Sequence, residues 1–348
     1  MTPARAGPLA DPLADPRPLV AVSGLSKHFD LRRGLRRFTD DARAHTVHAL
    51  DGVSFDIARG ETLGVIGESG CGKSTLGRTV LRLLEPTAGQ VAFDGTDLAT
   101  LDAAALKAVR RRMQIVFQDP YASLNPRRTV EQIVGLGLAI HGNPSTPALH
   151  DAVAEMLGRV GLSPAHMQRY PHQFSGGQRQ RIGIARALIV QPDFVVCDEP
   201  VSALDVSIQA QILALLEELK RALNLTYLFI SHDLAVVGHV SDRIAVMYLG
   251  QIVELGPARK LLQAPAHPYT QALLQAVPRV DADRAERQPL AGDVPSPLRP
   301  PPGCRFHTRC PHATDHCRTT APEHRQIAPG HVVACHLYAS DLHEGGHA

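Results

Sequence analysis

The segment Gly67-Glu68-Ser69-Gly70-Cys71-Gly72-Lys73-Ser74 fits G-x-x-x-x-G-K-[ST], a spacing that wraps backbone N–H groups around a phosphate chain. Glycines let successive amides turn inward, a following helix adds the positive end of its dipole, and Lys73 neutralises charge on the β and γ phosphates. Ser74 then offers a hydroxyl to Mg²⁺, and Thr75 a further contact to phosphate. The competing reading, a glycine turn with no ligand, is weakened by context: an apolar run precedes the motif and a helical pattern follows it. Cys71 in this loop reads as a small packed residue rather than a reactive thiol.

A second constellation is Phe194-Val195-Val196-Cys197-Asp198-Glu199, an apolar strand that ends in two carboxylates. Asp198 suits the ordering of Mg²⁺ through water, and Glu199 falls where a water attacking a γ-phosphate needs a base. A third is Phe174-Ser175-Gly176-Gly177-Gln178-Arg179-Gln180-Arg181, which opens a helix. Ser175 and the amides of Gly176 and Gly177, with Gln178 beside them, form a second anion cap.

Positioning these groups takes alternating strands and helices. Apolar runs over Val47–Ile57 and Glu61–Ile66 read as strands, the second feeding the glycine-rich turn, and a helix is predicted from Lys73 to about Leu84. Gln90–Phe93 and Met113–Phe117 read as further strands, with Asp94-Gly95 as a turn after the first. Between Asn125 and Tyr170, Val130–Ile140 and Ala148–Val160 carry apolar residues at helical spacing, which predicts a helical insertion. Helix Gly177–Ile189, strand Phe194–Cys197, helix Ile208–Leu223 and strand Tyr227–Ile230 follow, the order of a parallel α/β sheet.

A chain of 348 residues predicts one large core plus an appendage. Thirty-six Lys and Arg against 34 Asp and Glu give a net charge of +2, so no electrostatic case for nucleic acid arises. The most apolar helical run, Ile182–Val190, is interrupted by Arg186, and no stretch approaches the ~20 apolar residues of a membrane span. Residues 1–18 lack the apolar core of a signal peptide and read as a disordered tail, so a cytoplasmic protein is expected. Residues 19–265 are expected to form the nucleotide-binding domain, with a helical subdomain at about 125–175; a C-terminal extension, 266–348, begins with a proline-rich linker (278–302) and ends in a small module hanging beyond it. Arg32, Arg33, Arg36 and Arg37 read as a solvated basic loop.

These motifs, in this order, resemble the ATPase cassettes of ABC transporters. The stretch at 174–181 resembles that family's signature, with Phe174 where Leu is more usual. Gln118 after strand Ile115–Phe117, Ser202-Ala203-Leu204-Asp205 after Glu199, and His232 after strand Tyr227–Ile230 match the remaining stations. The resemblance implies a P-loop NTPase fold: a RecA-like α/β core, an antiparallel β subdomain, a helical subdomain and a small cysteine-containing extension. It implies that Gln118 ligates Mg²⁺ and senses the transporter, that Asp205 lies at a dimer seam, and that His232 contacts γ-phosphate and orients the water. Two subunits would pack head to tail, ATP on the Lys73 loop of one being capped by Ser175 of the other. Such proteins stack an aromatic on adenine after the first strand; Phe29 is the candidate here, with core packing its competitor.

Phe117–Pro126, Glu199–Ser207, His267-Pro268-Tyr269-Thr270, Pro295–Leu298 and Pro301–His307 are similar to the ATP-binding subunits of bacterial dipeptide and oligopeptide importers, the F-type subunit of the dipeptide system in particular. That similarity covers nearly all of the chain after Pro18. It implies an ATPase at the cytoplasmic face of the inner membrane, paired with itself or a paralogous ATPase. Its other partners would be two transmembrane permeases and, indirectly, an extracytoplasmic peptide-binding protein. An importer of nickel, haem or another small solute is the alternative, and a non-transport ABC ATPase a lesser one. Cys304, Cys310, Cys317 and Cys335 are spaced C-x5-C-x6-C-x17-C, looser than the C-x2-C pairs of most zinc sites. Similar tails in this family can hold a [4Fe–4S] cluster; Zn²⁺, aided by His307 or His312, and free thiols are the alternatives.

Overall fold

In a computed structural model, residues 17–31, 46–142, 144–276 and 292–338 are described. The tail to residue 16, the basic run at Arg32–Arg37 and the linker from 277 to 291 lie outside them. Strands β1 (Val20–Asp30), β2 (Thr46–Ile57), β4 (Ala88–Phe93) and β5 (Thr96–Asp97) form an antiparallel sheet in the order β2-β1-β4-β5. The β4–β5 hairpin turns on Asp94 and Gly95, both at positive φ (53° and 78°), the geometry a two-residue hairpin needs.

The larger sheet contains β3 (Thr62–Ile66), β6 (Met113–Val116), β7 (Phe194–Asp198), β8 (Thr226–Ile230), β9 (Arg243–Tyr248), β10 (Gln251–Pro257), β11 (His324–Ala328) and β12 (His331–Ala334). Its order is β11-β12-β10-β9-β3-β8-β7-β6, with the five strands from β9 to β6 parallel. Every residue of β3, β7 and β8 is buried, as expected of strands with neighbours on both sides and cover on both faces.

The helices are α1 (Lys73–Val80), α2 (Ala103–Arg112), α3 (Val130–Val134), α4 (Leu136–His141), α5 (Thr146–Arg159), α6 (Gly176–Leu188), α7 (Val206–Leu223), α8 (Leu234–Val240), α9 (Ala258–Gln263), α10 (Pro268–Gln275) and α11 (Asp315–Thr319). None is long and apolar enough among the described residues to cross a membrane. One apolar core joins the two sheets through Phe55, Leu76, Phe93, Phe194 and Met247. The other runs from Val195 and Phe229 into the helical insertion at Val130, Leu157 and Ile182, and reaches Tyr269 and Phe306.

Two expectations need correction and one is refined. Helix α1 ends at Val80 rather than near Leu84, because Arg82 turns to φ 51° and its amide bonds back to the Thr79 carbonyl at 2.9 Å. The run Val130–Ile140 is two short helices, broken at Gly135, a weak helix former that also lets Leu149 approach closely. The C-terminal module does not hang beyond the linker: β12 pairs with β10 and extends the main sheet, Glu254 opposite Val333. Glu254, with no exposed surface, pins that junction by accepting from the Ala266 and His267 amides (2.8 and 2.9 Å) and pairing with His331 Nε2 (2.8 Å). Three partners are what make a buried carboxylate tolerable. Burial holds the His267 imidazole down at about 3, hence neutral, and its Nδ1 caps α10 by accepting from the Tyr269 amide.

Candidate active site

The glycine-rich loop leaves β3 at the end of a fully buried strand and enters α1 at Gly72. Gly67 (φ 154°) and Gly72 (φ 108°) admit no side chain: a Cβ would stand 2.2 Å from the Met247 carbonyl in the first case and 2.2 Å from the Ala49 carbonyl in the second. No side chain caps α1 and no acid occupies its first turn, so its leading amides, with Ser74 and Thr75 on that turn, stay open to an anion. Lys73 is buried, and its ammonium folds back over the loop onto the carbonyls of Gly67 (2.7 Å) and Glu68 (3.0 Å). Cys71 Sγ fills the space beside Gly67, and burial raises its thiol above the usual range, in keeping with a packing role.

The ends of β3 and β7 bring two oxygens together: Ser74 Oγ donates to Asp198 Oδ1 at 2.7 Å. Asp198 Oδ2 is buried with no hydrogen-bond partner, although Arg78 stands 3.7 Å away. Burial pushes the Asp198 carboxyl above its usual range, and Ser74 and then Arg78 act against that shift. A buried, half-satisfied carboxylate beside a hydroxyl is a donor set that fits a hard divalent cation such as Mg²⁺. One residue on, Glu199 takes a left-handed backbone (φ 47°), fixed by its amide on the Ile230 carbonyl at 2.9 Å. Its Oε2 accepts from Gln118 Nε2 at 2.9 Å and lies 3.2 Å from His232 Nδ1. Gln118, Glu199 and His232, separate in sequence, thus share one oxygen.

The remaining residues fall elsewhere on the same molecule. Ser175 caps α6 by accepting from the Gln178 amide, while Gln178 Oε1 accepts from the Ser175 amide, so within one chain this pair holds the helix end rather than a ligand. Ser175 itself is exposed. Gly176 beside it is only in ordinary contact with Leu204, whereas Gly177 is required by packing, since a Cβ there would meet Ile208 at 2.5 Å. Asp205 starts α7 without capping it and is exposed, next to Val206 at 82% exposure. Phe29 lies half-buried on β1 with Lys27 Nζ 5.0 Å from its ring centroid.

Sequence reasoning missed Arg78, and it gave no role to Tyr269 or Arg309. Tyr269 Oη accepts from the Glu68 amide at 2.9 Å, and Arg309 pairs with the Glu68 carboxylate at 2.7 Å. The motif His267–Thr270 was the available signal for the first; nothing local marked the second. Cys304, Cys310, Cys317 and Cys335 line one cavity with His307, His312 and His336. Burial raises the thiols of Cys304 and Cys310 and pushes Cys335 up to about 11, neighbouring thiols adding to each shift. Among the described residues, the one His/Cys/Asp/Glu trio with ligand atoms all within 4.8 Å is His28, His48 and Asp51, so no three of these sulfurs are that close. A tetrahedral zinc site sets its sulfurs about 3.8 Å apart, from Zn–S ≈ 2.3 Å, and His307 Nδ1 is engaged at 2.8 Å with the Cys304 carbonyl.

Comparison with known proteins gives a consistent picture. Residues 50–202 match the family model described as ABC transporter, and 253–317 match the model described as oligopeptide/dipeptide transporter, C-terminal region. A protein of Brucella ovis named for peptide import is 55% identical over 319 residues, 91% of this chain and 97% of its own. The oligopeptide transport ATP-binding protein AppF of Bacillus subtilis is 52% identical over 330 residues, 94% of this chain and 99% of its own. Among solved structures, the ATP-binding cassette MJ0796, in a dimeric post-hydrolysis state bound to ADP and Pi, aligns with a TM-score of 0.60 at 30% identity, covering 69% of this chain and 99% of that one. CbiO1 of Clostridium perfringens, part of an ABC transporter complex, aligns with a TM-score of 0.60 at 28% identity, covering 71% and 91%.

Proposed function

This chain belongs to the ATP-binding subunits of ABC importers for oligopeptides, and we propose that it hydrolyses ATP at a shared head-to-tail dimer interface to drive peptide uptake. The observation that carries the assignment of roles is the meeting of Gln118, Glu199 and His232 on one carboxylate oxygen, one residue beyond the buried Asp198 oxygen that has no hydrogen-bond partner. Lys73 swings from the loop carbonyls to the β and γ phosphates, and the amides from Gly67 to Thr75 cradle the rest. Ser74, Asp198 and Gln118 hold Mg²⁺, which when bound neutralises charge developing on the phosphate oxygens. Glu199 accepts the proton of the attacking water while His232 orients it. Phe29 stacks on adenine.

The second half of the site comes from a partner cassette, itself or a paralogue. Support comes from exposure: Ser175, Asp205 and Val206 are presented to solvent, so a neighbouring subunit can reach them. The helical segment about 125–175 receives the cytoplasmic helix of one of the two permeases at the inner face of the membrane, and an extracytoplasmic protein delivers dipeptides or oligopeptides. In vesicles carrying the assembled complex, ATP hydrolysis and uptake of labelled peptide are expected to rise together when peptide-loaded binding protein is added. Hydrolysis that ignores peptide and responds to another solute would overturn the cargo.

For the four-cysteine cavity we favour a [4Fe–4S] cluster over Zn²⁺. The four thiols line one cavity, yet no three of them have sulfurs all within 4.8 Å of one another, which suits a cluster that would take each thiolate on a separate iron better than a single tetrahedral ion. Anaerobic purification is expected to give a brown protein with visible absorption and stoichiometric iron. A colourless, iron-free, zinc-loaded protein decides for the other metal.

A further inference from the structure

Glu68 is an acid set in a loop built for an anion, and the C-terminal extension deals with it directly. Arg309 Nη1 donates to Glu68 Oε2 at 2.7 Å and Nη2 to Oε1 at 3.0 Å, a two-pronged pair whose guanidinium side chain is only 5% exposed. The Glu68 amide donates to the Tyr269 hydroxyl at 2.9 Å. Tyr269 packs on Tyr248 and Phe306, with centroids 4.7 and 5.4 Å away, and Tyr248 meets Phe306 at 5.3 Å. Phe306 and Arg309 both come from the five residues between Cys304 and Cys310, and so does Arg305, which donates to the Leu249 carbonyl and pairs with Asp51. The backbone that carries two of the four thiols is therefore fastened to the phosphate loop and to the β9–β10 hairpin beside it.

We propose that Arg309 and Tyr269 are positioning residues for ATP: they hold Glu68 to the side of the phosphate loop, so that the C-terminal cysteine module sets the loop's affinity for nucleotide. The proposal rests on the reading of Gly67–Ser74 as the nucleotide site. Without Arg309 the Glu68 carboxylate loses its counter-charge while Lys73 Nζ lies 3.0 Å from that same residue's carbonyl. The freed carboxylate then competes with the triphosphate for Lys73 and repels it.

The test uses the full-length chain, with Kd for Mg·ATP from equilibrium binding, KM and kcat from steady-state hydrolysis, and melting curves to verify folding. Arg309→Met is expected to raise Kd and KM on the order of tenfold, within the usual range of couplings between sites, with kcat nearly unchanged. Arg309→Lys, which keeps the charge but not the fork, recovers part of the loss. Adding Glu68→Gln to Arg309→Met is expected to restore Kd to within about threefold of wild type, because the uncompensated charge is gone; a merely structural role for Arg309 predicts no rescue. Arg309→Met binding ATP as wild type, or a double variant as weak as the single, overturns the proposal. Should Arg309→Met not fold, Tyr269→Phe removes one hydroxyl and is expected to weaken ATP binding by about threefold, the scale of one neutral hydrogen bond; unchanged binding in that folded variant overturns the proposal equally. A wild-type chain that binds no ATP would instead refute the nucleotide site itself.

Discussion

Glu199→Gln is expected to slow ATP turnover on the order of 10²–10³-fold while leaving ATP affinity close to wild type. The change removes a proton acceptor and keeps the shape. A glutamine carbonyl still accepts from Gln118, now at 2.9 Å from Glu199 Oε2, and the left-handed backbone is held by the Ile230 carbonyl, which the substitution does not touch. Binding contacts from Lys73, Ser74 and Asp198 are untouched, so the loss should appear in kcat and not in Kd. A stalled ATP-bound dimer should accumulate, visible by size-exclusion chromatography with and without nucleotide. Turnover within tenfold of wild type in the assembled complex would remove Glu199 from the role of base. His232, 57% exposed and sharing the same oxygen, would then be the next residue to test.

What the sequence disclosed about this site follows chain locality. The phosphate loop is eight consecutive residues between a strand and a helix, so its conformation was readable from the glycines and their context. Gln118 and His232 lie 81 and 33 residues from Glu199, and only the order of motifs suggested that they meet. Arg309 is 241 residues from Glu68, and neither residue carries a local mark of the pairing. The same holds for β12: four residues cannot announce that they will pair with β10, because contacts between the two strands, such as Glu254 with His331, span 77 positions. Gly177 shows a different failure. Its place in the serine-glycine motif points to anion binding, yet its lack of a side chain is explained by Ile208 alone. Periodicity marked Val130–Ile140 as helical, but its spacing carries no sign of the division into α3 and α4 at Gly135.

Lys73→Ala is expected to weaken ATP binding by at least about 100-fold and to abolish hydrolysis, with the fold retained. A hundredfold is about 2.7 kcal/mol, the size of one or two charge-assisted hydrogen bonds, and this ammonium is the buried cation that can turn onto the phosphates from within the loop. Its ammonium donates to the Gly67 and Glu68 carbonyls, so the loop is tied together by the same group that the phosphates would recruit. Loss of those two bonds should loosen the loop without unfolding it, since the strand before it and α1 after it pack independently through Ile66, Leu76 and Val80. Lys73→Arg separates charge from shape: it keeps the positive charge but puts a wider, rigid fork into a loop where Gly67 has no room even for a methyl group. That variant is expected to bind ATP nearly as poorly as the alanine. If the arginine variant bound ATP like wild type, charge alone would suffice and the tight geometry of the loop would count for little. Wild-type affinity in a folded Lys73→Ala protein would mean that the triphosphate is held somewhere other than between β3 and α1.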